Sequence, residues 1–244
     1  MTRQKPSVGN RILGVLGEIL ITLGILLMLY VAWELWWTNI DSANAQKQVT
    51  QNLVQNIGDV KIGDDTEEDI DYGPAPVAEV NPGETFGIMY FPRFGSNGSH
   101  HPVTYGVGRD VIDNLGIGYY PSTQLPGEKG NFAVAAHRQT HGQVFWDIDK
   151  LQKGDKIYLQ TKEGYYTYTW YETEIVQPSN GDVLLPVPHE PDAEPKRSIL
   201  TMTSCHPPFT TRLRIIAYSE LTDWRPLEAG PPKEIREMVK DATS

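Results

Sequence analysis

Ser198-Ile199-Leu200-Thr201-Met202-Thr203-Ser204-Cys205-His206-Pro207 holds the only cysteine in a chain of 244 residues. Ile199, Leu200, Thr201 and Thr203 are apolar or β-branched, so the stretch reads as a strand. Pro207 and Pro208 end it, because proline has no N–H to give to a ladder. The thiol therefore sits at a strand end, where a side chain can leave the core. A second strand follows at Arg212-Leu213-Arg214-Ile215-Ile216-Ala217-Tyr218. Side chains alternate along a strand, so Arg212 and Arg214 share a face. A short connection returns this strand beside the first and brings a guanidinium near the thiol.

Working outward, Gly130-Asn131-Phe132-Ala133-Val134-Ala135-Ala136-His137-Arg138 reads as a buried strand that ends on a histidine. Further strands are expected over 86–91, 103–107, 156–161 and 165–176, with turns at Glu163-Gly164 and Ser179-Asn180-Gly181. Asp110 is placed to cap a short helix through Val111, Ile112 and Leu115. Residues 116–121 read as a loop, and Phe145, Ile148 and Leu151 fall at helical spacing. Many short strands with turn signals and two brief helices predict a mostly β domain, a closed or nearly closed barrel over 84–222. The chain is expected to leave the barrel after Tyr218, with 223–244 a tail containing a helix near 233–240.

Composition bounds the function. Lys+Arg number 21 against Asp+Glu 31, a formal net charge of −10. A basic face for phosphate is lacking, which argues against nucleic acid as a partner. One cysteine cannot make an intrachain disulfide or a cysteine zinc site. No histidine pair stands at convincing metal-ligand spacing with carboxylates, so neither metal nor cofactor is expected.

Residues 1–11 are polar with basic Arg3, Lys5 and Arg11, and 12–37 form a hydrophobic run. A bilayer core of about 30 Å needs about 20 helical residues. Trp33, Trp36 and Trp37 suit the far interface, and the basic flank keeps the N-terminus inside. The expectation is one uncleaved signal anchor, with everything after about residue 38 outside; a cleaved signal peptide is the alternative. Residues 38–83 read as a helical stalk, with Val49, Leu53, Val54 and Ile57 at helical spacing, followed by an acidic tether around Asp59, Asp64, Asp65, Glu67, Glu68, Asp69 and Asp71. On that reading residues 1–83 are dispensable for chemistry.

Thr201-Met202-Thr203-Ser204-Cys205 resembles the strand-end motif of sortases, usually Thr-Leu-x-Thr-Cys, with Met202 for Leu and Ser204 for Thr. Cys205-His206-Pro207 followed by arginines at 212 and 214 is similar to the class E, actinobacterial-type branch. The strand ending on His137 matches the position of the family's histidine, and the resemblance covers about 84 to 222. It implies an eight-stranded sortase-type β-barrel behind the N-terminal transmembrane helix. It implies a cysteine transpeptidase that cuts a Leu-Ala-x-Thr-Gly or Leu-Pro-x-Thr-Gly sorting signal between Thr and Gly. Cys205 then carries the acyl group as a thioester, His137 protonates the leaving amine, and Arg214 steadies the oxyanion, with Arg212 the rival for that role. Tyr120 falls in a loop pattern like the class E one, which implies that it helps read the second residue of the signal. Arg212, His206 and Thr203 complete the expected substrate-binding set. The implied partners are secreted proteins with C-terminal sorting signals and an amine of the peptidoglycan precursor. The implied location is the membrane of a Gram-positive, actinobacterial cell, with the catalytic domain outside. A calcium site, which some sortases have, shows no clear signature.

The chemistry agrees with the residues themselves. A thiolate attacks carbonyls, an imidazole moves the proton, and the developing oxyanion needs a fixed donor. Two alternatives remain: a hydrolase with the same residues, and a peptide-binding adaptor without catalysis.

Overall fold

The computed structural model describes residues 8–57, 70–95 and 100–243. Expectations resting on Arg3 and Lys5 and on the acidic residues from Asp59 to Asp69 lie outside those residues.

Eight strands close a barrel: β1 (Thr85–Tyr90), β2 (His100–Tyr105), β3 (Ile117–Tyr119), β4 (Gly130–Ala135), β5 (Lys156–Gln160), β6 (Gly164–Val176), β7 (Ser198–His206) and β8 (Leu213–Pro226). Their order is β1-β2-β3-β4-β7-β8-β6-β5. The β2–β3 and β4–β7 pairs are parallel and the rest antiparallel. Alternation fixes which residues fill the interior. Phe132 and Val134 of β4, Leu200 and Met202 of β7, and Ile215 and Ala217 of β8 join Phe86, Leu159, Tyr166 and Tyr168 in one buried cluster. Each large side chain so buried contributes roughly 1.5–3 kcal/mol.

The structure differs from the sequence reading in four places. Residues 117–119, expected in a loop, form β3, which bridges β2 and β4; three residues with Gly118 in the middle are too short to show a period. The short helix is α2 (Arg109–Ile112), and its N-cap is Gly108, with no side-chain cap bond, so Asp110 lies inside it. Of the spacing at Phe145, Ile148 and Leu151, only a single 3₁₀ turn at Ile148–Lys150 results. The last strand does not leave after Tyr218: it pairs with β6 as far as Gly164↔Pro226. The thirteen residues of β6 are matched along their length, and Leu221 and Trp224 pack on the core from that extension.

The segment expected to stand off the barrel is fastened to it. The N-terminal helix α1 (Val8–Ile57) is one element of 50 residues, about 75 Å long at the α-helical rise. It is long and apolar enough to cross a membrane by length and composition. From Asn39 onward it docks. Leu53 and Val54 pack with Ile235, Val239 and Ala242 against Ile88, Tyr90, Tyr158 and Tyr165. Ile235 leads into the C-terminal helix α3 (Arg236–Thr243), so tail and stalk cover the same outer face of β1 and β5. The following linker is pinned too. Ala78 is buried and donates its N–H to the Pro126 carbonyl at 2.9 Å, and the Tyr166 hydroxyl donates to the Pro76 carbonyl at 3.0 Å. Backbone hydrogen bonds there add to the small apolar contacts of Ala75, Ala78 and Val80 with the core.

Ile235→Ala should lower the unfolding free energy of the full chain by about 2–5 kcal/mol, the range for emptying such a site. Chemical denaturation in detergent measures it, and an unchanged midpoint would mean that the tail is not part of the fold.

Candidate active site

The parallel β4–β7 register runs without a shift from Gly130↔Ser198 to Ala135↔Thr203. It continues beyond β4: Ala136 donates its N–H to the Thr203 carbonyl at 3.3 Å, and the Ser204 hydroxyl donates to the Ala136 carbonyl at 2.8 Å. Two residues past the last pair, His137 comes beside Cys205. On the other side of β7, Cys205 is the direct partner of Arg214. Three neighbouring strand ends thus carry a histidine, a cysteine and an arginine. All three have the parity of Ile199, Thr201 and Thr203, whose side chains leave the barrel outward, opposite Leu200 and Met202. Cys205 is partly exposed.

On the outer surface nearest the thiol stand two small side chains, half-buried Ala135 on β4 and Thr203 on β7, while Ala133 and Thr201 behind them are fully covered. Tyr120 closes one side, its hydroxyl 3.1 Å from Thr203 Oγ1. The β6–β7 connection closes the other. It is held by buried Asn131, whose amide donates to the Val183 and Leu185 carbonyls at 3.0 Å each. Val183 packs with Ile199, Ile216 and Tyr218 beneath it. At the rim, Trp146 and Phe209 meet edge to face at 5.9 Å, both exposed, one in the connection after His137 and one after Cys205.

His137 is oriented by a carboxylate absent from the expected set. Its Nε2 lies 2.6 Å from Asp113 Oδ1. The carboxylate accepts, so Nε2 carries the proton and Nδ1 is left to exchange one with another group. Asp113 closes α2, 24 positions before the histidine, and a lone aspartate at that distance has no local signature. His141 stacks on His137 at 4.7 Å with a φ of 52°; Gln143 has a φ of 54°. Such conformations cost of order 1–3 kcal/mol each and persist where the surroundings fix them. Burial pushes the His141 pKa down, against the pull of Asp113, and the His137 ring pushes it the same way. Asp113, His137 and His141 offer three ligand atoms within 4.8 Å of one another. The stacking opposes shared metal ligation: ring lone pairs lie in the ring plane, so two stacked imidazoles do not converge on one ion.

The remaining expected residues divide. His206 faces the opposite side of β7, where Arg138 Nη1 lies 2.8 Å from its Nδ1. A guanidinium only donates, so that nitrogen accepts and is occupied. Arg138, 1% exposed, also pairs with Asp149 at 2.6 Å. Arg214 Nη1 donates to the Thr211 and Leu213 carbonyls at 3.1 and 3.0 Å, which fixes the guanidinium on the β7–β8 connection. Arg212 lies before β8 and is exposed. His137, Cys205, Arg214, Thr203 and Tyr120 are thus brought to one face; Arg212 and His206 are not.

The β6–β7 wall has its own electrostatic fastening. His189 Nδ1 meets Asp182 and its Nε2 meets Glu174, each at 2.7 Å. Hydrogen bonds from Asp182 first and Glu174 second raise the His189 pKa. A raised value means that this tie is fully present below the unfolded pKa of about 6.5 and is lost as pH rises through the higher folded value. Hydrogen exchange at 181–190 should therefore quicken as pH climbs above neutrality, after correction for intrinsic rates. His189→Gln should remove that extra dependence, and a variant that kept it would place the cause elsewhere.

A sortase domain profile matches residues 89–222. Among characterised proteins, the chain is 31% identical to Sortase SrtE1 of Streptomyces coelicolor over 94% of its length, spanning 62% of that relative. It is 31% identical to Sortase SrtE2 of the same organism over 96% of its length, spanning 92% of that protein. The SrtA sortase from Actinomyces oris superposes with a TM-score of 0.64 at 37% identity, over 67% of this chain and 94% of the other.

Proposed function

Because the chain belongs to the sortase family of cysteine transpeptidases, we propose that it cleaves a C-terminal sorting signal of the Leu-Ala-x-Thr-Gly or Leu-Pro-x-Thr-Gly type between Thr and Gly. It then joins the new carboxyl end to an amine of the cell-wall precursor. The observation that carries this is the placement of His137, Cys205 and Arg214 on adjacent strand ends, on one outward face. The peptide reaches the thiol past Ala135, with Tyr120 and Thr203 beside the residues next to the scissile bond. Cys205 Sγ attacks the threonine carbonyl carbon, and the oxygen takes the negative charge. Arg214, already fixed by two backbone carbonyls, donates to that oxygen. The C–N bond breaks as His137 gives a proton to the leaving glycine amine. An incoming amine attacks the thioester, His137 takes its proton, and the thiolate leaves. Asp113 holds the imidazole so that one nitrogen serves both transfers. The apolar part of α1 spans the membrane once, with the barrel outside the cell.

Incubating the full chain in detergent with paired Ala- and Pro-containing signal peptides and an added amine, with products identified by mass, tests the reaction. Amine adduct is expected; free acid alone would favour the hydrolase, and no cleavage would favour the adaptor. Cys205→Ala should bind peptide but form no thioacyl adduct, and turnover in that variant would sink the mechanism.

Removing a charged donor to an oxyanion costs roughly a hundred- to a thousandfold in rate. Arg214→Ala should lose that much in single-turnover acylation, and lysine should rescue it poorly because its ammonium is not a planar fork. Arg212→Ala, at an exposed residue off that face, should act through peptide binding or packing, with a smaller effect on the acylation rate. The opposite pattern would move the oxyanion role to Arg212.

A further inference from the structure

We propose that the extracellular continuation of the anchor helix is a working part of the active site: Asn39, Ser42 and Gln46 are positioning residues for the catalytic histidine. The proposal rests on the transpeptidase reading and deepens it.

The three residues lie at i, i+3 and i+7, one face of a helix. Each bonds to a different part of the frame around His137. The Ser42 hydroxyl donates to the Asp113 backbone carbonyl at 2.8 Å, and the Asp113 side chain accepts from His137. Asn39 Oδ1 accepts the Gly142 N–H at 3.0 Å. Gln46 donates through Nε2 to the His141 carbonyl at 3.3 Å, while its Oε1 accepts from His101 Nδ1 at 2.8 Å. The helix thus holds both supports of His137, the aspartate on one side and the connection carrying His141 on the other.

This is a built contact. Ser42 and Gln46 are each 4% exposed and Thr50 2%. Buried polar groups without partners are costly, so the match of donor to acceptor fixes the helix in one rotation and one height. The opposite surface is cut to receive it. Gly142 (φ 88°) and Gly116 (φ 92°) both press on Gln46, where a Cβ would come within 2.9 Å and 3.3 Å of its side chain. The left-handed φ of His141 falls inside the clamped span. Substrate need not touch these three residues: Ser42 acts on Asp113 and through it on the imidazole, and Asn39 and Gln46 act on the backbone that follows.

The test uses the full chain in lipid nanodiscs, comparing wild type with Ser42→Ala, Gln46→Ala, Asn39→Ala and the triple variant. Single-turnover acylation should fall about five- to tenfold for Ser42→Ala, the worth of one hydrogen bond. The triple variant should fall about a hundredfold, with KM for the peptide within twofold of wild type. The pH–rate profile should shift with the rate, because the carboxylate no longer holds the ring in one place. Ser42→Thr, which keeps the hydroxyl, should recover most of the rate. The proposal is overturned if the triple variant keeps the wild-type rate and profile. It is equally overturned if the loss follows the melting temperature or KM and leaves the profile in place, since the contacts would then be only structural. A wild-type chain without transpeptidation overturns the functional reading instead, so the two failures are distinguishable.

Discussion

The unbroken register between β4 and β7 is the constraint on which the site depends. Parallel strands have no hairpin to align them, so side chains must set the pairing. Phe132 and Val134 on one strand, and Leu200 and Met202 on the other, all point into the barrel. A slip of one residue would turn one strand's set out and bring either Asn131 and Ala133 or Thr201 and Thr203 in. The same slip would pair Cys205 with Ala136 or Arg138 rather than with the histidine. Core packing and catalytic geometry are therefore one specification: what buries the apolar residues aligns the imidazole with the thiol. β8 adds the third group by the same logic, since Ile215 and Ala217 inside require Arg214 outside.

Much of this was legible because the decisive segments are local. The cysteine strand announces itself by alternation and by the proline stop, and the histidine strand by a buried run that ends on a polar pair. Arg214 was distinguishable from Arg212 only by a family resemblance, and the fold separates them by where β8 begins. What was not legible depends on distance or on polar burial. Asp113 meets His137 through the fold alone. Ile117–Tyr119 is a strand because two neighbours need it. Residues 39–50 look like a spacer because hydrophobicity is the usual sign of docking, and that face docks through Ser42, Gln46 and Thr50. The segment around Ala78 misled because its attachments are main-chain hydrogen bonds and a few small apolar contacts, of Ala75, Ala78 and Val80, which make no periodic pattern.

The histidines show how far environment overrides residue type. His189 sits between two carboxylates near the surface, and its pKa rises. His101 is wholly buried, and desolvation takes its pKa down to about 3, so it stays neutral. That neutrality suits its contact: Gln46 Oε1 needs a donor at Nδ1 and nothing more. His141 is pushed down by burial, although Asp113 nearby pulls the other way.

The same helix joins anchor and clamp, and this couples two quantities that are usually independent. Asn39 follows Trp37 by two residues, about 3 Å along the axis. On the proposed reading, with the tryptophans at a bilayer interface, the Asn39 contact with the connection after His137 is the one nearest the lipid, and the Leu53 and Val54 contact lies further from it. An apolar contact alone would tolerate rotation and sliding of the helix over the barrel. The hydrogen bonds of Asn39, Ser42 and Gln46 do not, since each is lost within an ångström or so of displacement. On the proposed reading, fixing the helix on the barrel also fixes the height of Cys205 above the membrane, and both the acyl donor and the amine would reach the thiol at that height.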